Sequence, residues 1–237
     1  MMNISPRLAG ENNKDYSYRV IRENMMSLTL APGQVISEID LADALQISRT
    51  PVREVLAKLK EEHLIDVVPQ VGTYVSKIKG HLIEEAAFMR FTLEKEVLLR
   101  SCQSFPAEAL LELKKNVGLQ ELLVDKKARE LDFHQLDTEF HQIIYRGNHL
   151  ENVWKSITRL STHYNRIRLL SEREHSFEEA VTQHRQMIGL IEQGQTEQIE
   201  HAVKQHILAP MNQWEELYRD DSRFAHYFDV SSGISVC

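Results

Sequence analysis

Apolar residues return at helical spacing as soon as Tyr16 is passed: Val20, Ile21, Met25 and Leu28 line one face. The run ends at Leu30-Ala31-Pro32-Gly33, where proline and glycine stop the helix and turn the chain. Ser37 with Asp40 can cap a second, short helix that carries Leu41, Ala44 and Leu45 and stops near Gln46. A third helix follows within a few residues. Ser48 or Thr50 offers it an N-cap oxygen, Pro51 fits its first turn, and Val52, Val55, Leu56 and Leu59 form its apolar stripe. Residues 64–68 and 73–76 then read as two short strands around Pro69-Gln70-Val71-Gly72. Three helices and a hairpin over residues 16–78 make a winged helix-turn-helix. The polar, aperiodic residues 1–15 are expected to form a mobile arm.

After a linker at Lys77-Ile78-Lys79-Gly80, only helical periodicity remains. Ile83, Ala86, Ala87, Arg90, Leu93, Glu94 and Val97 open a long helix. Further helical segments read at 106–124, 128–146, 150–171, 177–193 and 196–218, the last kinked by Pro210, which cannot donate to the His206 carbonyl. The expected fold class is therefore mainly α: the winged helix-turn-helix, then an all-helical bundle over residues 82–218. The tail, 219–237, has no helical stripe.

A length of 237 residues with 42% apolar content suits two domains with real cores. No apolar run is long enough to span a membrane and no signal-like segment opens the chain, so a cytoplasmic location without membrane contact is expected. Cys102 and Cys237 have no motif spacing and read as free thiols. The net charge of -7 argues against non-specific coating of nucleic acid. The deficit is local, however. Residues 1–80 hold ten basic and ten acidic side chains, leaving 18 and 25 for the rest.

That balance leaves the third helix free to meet DNA. A helix N-terminus enters the major groove, where arginine can donate two hydrogen bonds to guanine while hydroxyls and backbone N–H groups hold phosphates. Arg49 and Arg53 face away from the stripe and are the expected base or phosphate contacts. Ser48 and Thr50 are expected phosphate contacts or caps, and Gly72 is expected to let the wing turn close to the DNA backbone. Two arginines on a solvated face alone would be ordinary; the short helix spacing, the helix start and the wing give them their meaning.

In the second half, Asp137 and His141 lie four apart and share a helix face. His184 precedes Gly194 by ten residues and His206 follows it by twelve. In a hairpin turning at Gly194 they stand about 15 and 18 Å from the turn, nearly level, at about 1.5 Å per residue. One carboxylate and three imidazoles can thus converge, a set suited to zinc, nickel or manganese. The plainer alternative is a surface salt bridge between Asp137 and His141. His134, His149, His163 and His201 lack comparable partners and read as solvated or core-edge residues.

The run Ser48-Arg49-Thr50-Pro51-Val52-Arg53-Glu54-Val55-Leu56, with Pro32-Gly33 and Val71-Gly72-Thr73-Tyr74-Val75, resembles the signature of the GntR family of bacterial transcription regulators. Two positions depart from it: Ile39 stands where many members carry another DNA-contacting arginine, and His63 replaces a glycine before the first wing strand. Asp137-Thr138-Glu139-Phe140-His141, with His184 and His206, resembles the metal-binding pattern of the FCD ligand-binding domain in the FadR subfamily. The resemblance implies a homodimeric regulator of a palindromic double-stranded DNA operator, a repressor rather than an enzyme. It implies a bound divalent metal, zinc first, and a small organic-acid or sugar-acid effector. Arg90 would clamp the effector carboxylate, unless it simply pairs with Glu94, and one of Asn165, Arg166 and Arg168 would reach the pocket. The rival readings are a metal-responsive regulator and a metal-dependent hydrolase, for which Glu139 is the nearest base in sequence but on another helix face.

Overall fold

The computed structural model describes residues 2–124, 129–219 and 221–229. Cys237, the last eight residues of the tail and the expected helix start at Ala128 lie outside the described residues. The first half holds α1 (Asn13–Met26), β1 (Val35–Ile36), α2 (Glu38–Leu45), α3 (Arg49–Glu61), β2 (Ile65–Val68) and β3 (Gly72–Val75). Val20, Ile21 and Met25 of α1 close with Leu41, Leu45, Val52, Val55 and Leu59 into one core. The Ser37 side chain accepts from the Ile39 and Asp40 amides and caps α2, as expected. Ser48 occupies the N-cap position of α3 but makes no side-chain cap bond, and neither does Thr50, so the hydroxyl cap expected there is absent. Both hydroxyls remain exposed.

The strands form an antiparallel sheet in the order β1-β3-β2, with Val35 opposite Tyr74 and Val68 opposite Gly72. β1 has only two residues, too few to show a period. The wing turns through Gln70, at φ 62, with the Val71 amide donating to the Val68 carbonyl at 3.1 Å. Gly72 sits inside β3, and a Cβ there would touch the Tyr74 ring at an ordinary 3.5 Å. The turn itself thus does not depend on Gly72. His63 has φ 58, the left-handed region that favours glycine, which explains why glycine suits that position. The residues before α1, read as a mobile arm, lie along it: Asn3 and Asn24 exchange hydrogen bonds of 2.6 and 2.7 Å, and Glu11 pairs with Arg19 at 2.6 Å.

The second half is helical: α4 (Gly80–Gln103), α5 (Ala107–Glu121), α6 (Glu130–Gly147), α7 (Glu151–Leu160), α8 (Thr162–Glu174), α9 (Glu178–Gln193), α10 (Ile199–Ile207) and α11 (Glu215–Tyr218). The segment expected as one helix over 150–171 breaks at Ser161. Serine and threonine side by side compete for backbone bonds and favour helix ends, a signal outweighed by the apolar period around them. The last segment also divides. α10 stops at Ile207, and Ala209–Gln213 forms a 3-10 turn around Pro210. In the tail, Phe228 is buried and bridges Ile78 of the linker, whose amide donates to the Tyr227 carbonyl at 2.8 Å.

α8 joins the halves. The Thr162 hydroxyl donates to the carbonyl of Glu62, the C-cap of α3, at 2.9 Å. Arg166 donates to the Ser76 carbonyl at 2.7 Å, and Arg173 to the Ser27 carbonyl at 3.1 Å. His163, expected to be solvated or at a core edge, is instead buried in this junction. Its Nδ1 accepts from the Lys79 amide at 3.0 Å and its Nε2 meets the His63 carbonyl at 2.9 Å, which defines one neutral tautomer. Burial, reinforced by Arg166, holds His163 well below the ordinary histidine range. A depressed folded value means that the unfolded chain takes up a proton that the folded chain refuses. Stability from this site is therefore complete above about pH 6.5 and is lost as the pH falls below it. His163→Gln, which keeps a donor and an acceptor, should flatten the decline in melting temperature between pH 7.5 and 5.5; an unchanged slope would place that decline elsewhere.

Candidate metal centre and nucleic-acid interface

The four residues singled out by spacing are brought together. Asp137 and His141 stand one turn apart on α6, His184 on α9 and His206 on α10, all buried, with their donor atoms within 4.8 Å of one another. Gly194 takes φ +63 as the C-cap of α9, a conformation open to glycine, and turns the chain so that both histidines face α6. The Nε2 atoms of His141 and His184 lie 3.1 and 3.3 Å from that of His206. Asp137 Oδ1 is 3.5 Å from His184 Nε2, and its Oδ2 is 3.9 Å from His141 Nε2.

Each imidazole is fixed from behind. His141 Nδ1 meets Glu94 at 2.8 Å, His184 Nδ1 meets the Gln120 amide oxygen at 2.8 Å, and His206 Nδ1 meets the Gln183 amide oxygen at 2.8 Å. These partners accept, so each Nδ1 carries the proton and each Nε2 presents a lone pair inward. Burial pushes His184 down to about 3 and His206 well below its ordinary value, which keeps both rings neutral. Against the cost of burial, Arg168 beside Asp137 holds that carboxyl well below the carboxylate range. Three lone pairs and a carboxylate aimed at one point repel each other unless a cation lies between them, so the donor set fits a divalent metal ion.

Gln120 and Gln183 went unnoticed in sequence, and Glu94 was read only as a partner of Arg90, since only the fold shows that these three face imidazoles. Replacing Gln183, on the partly solvated side of the cluster, by leucine should lower metal affinity about 10–100-fold, the usual cost of losing an outer partner. Competition against a fluorescent chelator reads this, and unchanged affinity would contradict the orienting role.

A cavity of about 620 Å³, counting its mouth, opens beside Asp137 and His206. Arg168, Glu172, Gln183, Tyr164, Trp214 and the stacked Phe133–Phe177 pair line it. Of the three candidates on α8, Arg168 reaches this cavity and pairs with Asp137 at 2.5 Å, Asn165 lines a smaller crevice, and Arg166 serves the junction. Arg90 is buried, pairs with Glu94 at 2.7 Å and does not line the larger cavity. Opposing burial, the Arg90 guanidinium and the hydrogen bonds from Arg90 and His141 lower the Glu94 carboxyl to about 2. Glu139 is exposed, accepts from Asn116 at 3.3 Å and sits away from the cluster, so it offers the hydrolase reading no base.

At the other end of the molecule Ser48, Arg49, Thr50 and Arg53 are all exposed along the start of α3. Arg53, 72% exposed, rests on Glu38 of α2 at 3.0 Å, a surface pair weak enough to yield to a stronger anion. Ile39 is 44% exposed on the same helix as Glu38, leaving the α2 side apolar.

Residues 17–75 match the family of bacterial regulatory proteins named gntR, and residues 85–209 match the FCD domain. The chain belongs to the GntR family and carries an FCD domain. An uncharacterized HTH-type transcriptional regulator in an unstable DNA locus of Streptomyces ambofaciens is 32% identical over 212 residues, 88% of this chain and 87% of that protein. The HTH-type transcriptional repressor RspR of Escherichia coli K12 is 29% identical over 191 residues, 80% of this chain and 83% of that one. The solved structure of E. coli McbR/YncC superposes with a TM-score of 0.75 over 88% of this chain and all of that chain, and at 16% identity shows a common fold. This GntR protein is thus a DNA-binding transcription regulator and not an enzyme. Among its described residues no helix is long and apolar enough to cross a membrane.

Proposed function

We propose that this regulator represses transcription from a palindromic operator as a cytoplasmic homodimer, and that a small organic or sugar acid held at a metal ion in its FCD domain changes operator binding. The observation that carries this reading is the convergence of three back-held imidazoles and Asp137 at the wall of a cavity whose neighbouring helix, α8, also grips the end of α3. Asp137, His141, His184 and His206 would hold the ion, zinc first and nickel or manganese next. When bound, the ion supplies positive charge and coordination positions for an effector carboxylate. Arg168, whose second carboxylate partner is Glu172, stands ready to share that carboxylate, and the cavity suits a small ligand. Repression follows the name of RspR.

On the DNA side, Arg49 and Arg53 read bases or phosphates, Ser48 and Thr50 hold phosphates, and Gly72 lets the wing lie close to the backbone. Two heads on one dimer match two half-sites, and an effector acts by favouring one spacing of the heads. A tenfold change in operator affinity requires about 1.4 kcal/mol of difference between the two arrangements, well within reach of one carboxylate bound to metal and arginine.

Folding, effector response and operator binding, each measured with and without chelator, test the reading. Loss of effector response alone supports it. Loss of folding makes the metal a staple, and a change in DNA binding with no effector present makes the protein a metal sensor.

A further inference from the structure

A second, smaller compartment lies next to the cluster. A narrow crevice of about 260 Å³, counting its mouth, is lined by Arg90, Asp137, Ser161, Asn165 and Arg168 among others, and shares only Asp137 and Arg168 with the larger cavity. Among the described residues, two side chains of its lining carry a buried polar atom without a hydrogen-bond partner: Arg90 at Nη2 and Ser161 at Oγ. Both side chains are essentially inaccessible, at 2% and 0% exposure. Leaving such groups unpaired costs free energy, more so for a charged guanidinium, and an absent ligand or water is the usual explanation. Both atoms can donate. A group that satisfies them is an acceptor, and a guanidinium bonds a carboxylate more strongly than a neutral acceptor.

Ser161 also occupies the break between α7 and α8, at the N-cap of α8 and with no cap bond of its own. Its peptide neighbour, Thr162, donates to the Glu62 carbonyl at the C-cap of the DNA-reading helix α3. Glu62 is itself clamped by Tyr18 at 2.6 Å and by Arg22 at 2.8 Å, so a shift at its carbonyl is shared with α1. A single peptide linkage thus joins the residue with an unsatisfied hydroxyl beside the candidate metal centre to the residue whose hydroxyl holds the reading head.

We propose that Ser161 is a ligand-sensing residue: its hydroxyl and Arg90 Nη2 together receive one carboxylate group in the crevice, and Thr162 passes that occupancy to the C-terminal cap of α3. The inference rests on the effector reading above and names where one end of the effector is felt. The carboxylate is supplied either by an effector that also reaches the metal, or by a small free acid.

Metal-loaded wild-type protein is titrated calorimetrically with acetate, malonate and D-gluconate, and the titrations are repeated for Ser161→Ala and Arg90→Lys. Arg90→Lys keeps the charge facing Glu94 but lacks Nη2, so it serves should the alanine variant fold poorly. Each variant is expected to weaken, by about tenfold, whichever acids the wild type binds, as fits the loss of one hydrogen bond to a charged group. Weakened acetate binding identifies a site for a free acid; weakening confined to malonate or gluconate assigns the group to a larger effector. Operator binding with and without the bound acid is then compared for Thr162→Ser, expected to keep the response, and Thr162→Val, expected to lose it. Unchanged acid affinity in both Ser161→Ala and Arg90→Lys overturns the sensing site while the effector reading stands. A full response in Thr162→Val overturns the relay, and a wild type that binds none of the acids overturns the effector reading and this inference with it.

Discussion

Replacing Arg49 and Arg53 together by alanine should weaken binding to promoter-region DNA by about a hundredfold or more at matched salt, because each well-placed arginine contact contributes about 1–3 kcal/mol. Both side chains are exposed at the start of α3, and neither is part of the core, so the variant should fold and melt like the wild type. Ile39 sharpens the expectation. With no third arginine on α2, the two on α3 carry more of the recognition. Arg53 also has to leave Glu38 before it meets DNA, so Glu38→Gln should tighten binding modestly. Electrophoretic mobility shift or fluorescence anisotropy at fixed ionic strength decides the matter. Wild-type affinity in the double variant would remove α3 from the interface.

The second large effect is expected at His206. Its Nε2 lies against those of both other imidazoles, so His206→Ala opens the cluster at its centre. Metal affinity should fall by more than the 10–100-fold expected for an outer partner such as Gln183. In the wild type, free metal at about a thousand times its dissociation constant stabilises the fold by about 4 kcal/mol, which for a chain of this size raises the melting temperature by roughly 10 °C. At the same metal concentration the alanine variant, weakened more than a hundredfold, should keep less than about a third of that rise. Scanning calorimetry with and without added zinc, nickel or manganese measures it. A full metal-dependent rise in His206→Ala would show that the ion binds elsewhere.

Helical periodicity and the Gly194 hairpin were enough to bring His184 and His206 level with each other, because a helix pair turning at a glycine has a nearly fixed rise; that α6 packs against this pair and brings Asp137 and His141 to it comes from the fold. The same periodicity placed the stripe of α3, whose apolar residues are all buried. Features that depend on contacts between distant segments were not legible. Arg90 follows the helix period of a core face, yet which partner it takes depends on α6 and α8: in the structure Glu94 holds it and Tyr164 stacks against it, 5.0 Å from the ring centroid to the guanidinium. His163 gave no sign of its place because it joins backbone groups of His63 and Lys79, far away in sequence, and any residue type could supply those. The break at Ser161 was hidden for the opposite reason: apolar residues continue on both sides of it, with Ile157 and Ile167 both buried. Positive φ at Gln70, where a glycine would be expected, likewise left Gly72 as the apparent turn residue.

The central claim is that an acid bound at the Asp137, His141, His184 and His206 cluster changes how α3 holds DNA. Anisotropy of labelled promoter-region DNA, titrated with metal-loaded protein in the presence and absence of a panel of small organic and sugar acids, tests it most directly. At least one acid should change operator affinity by tenfold or more in the wild type, and the same acid should have no effect on His206→Ala. An identical response in the two proteins, or no response to any acid in the metal-loaded wild type, would contradict it.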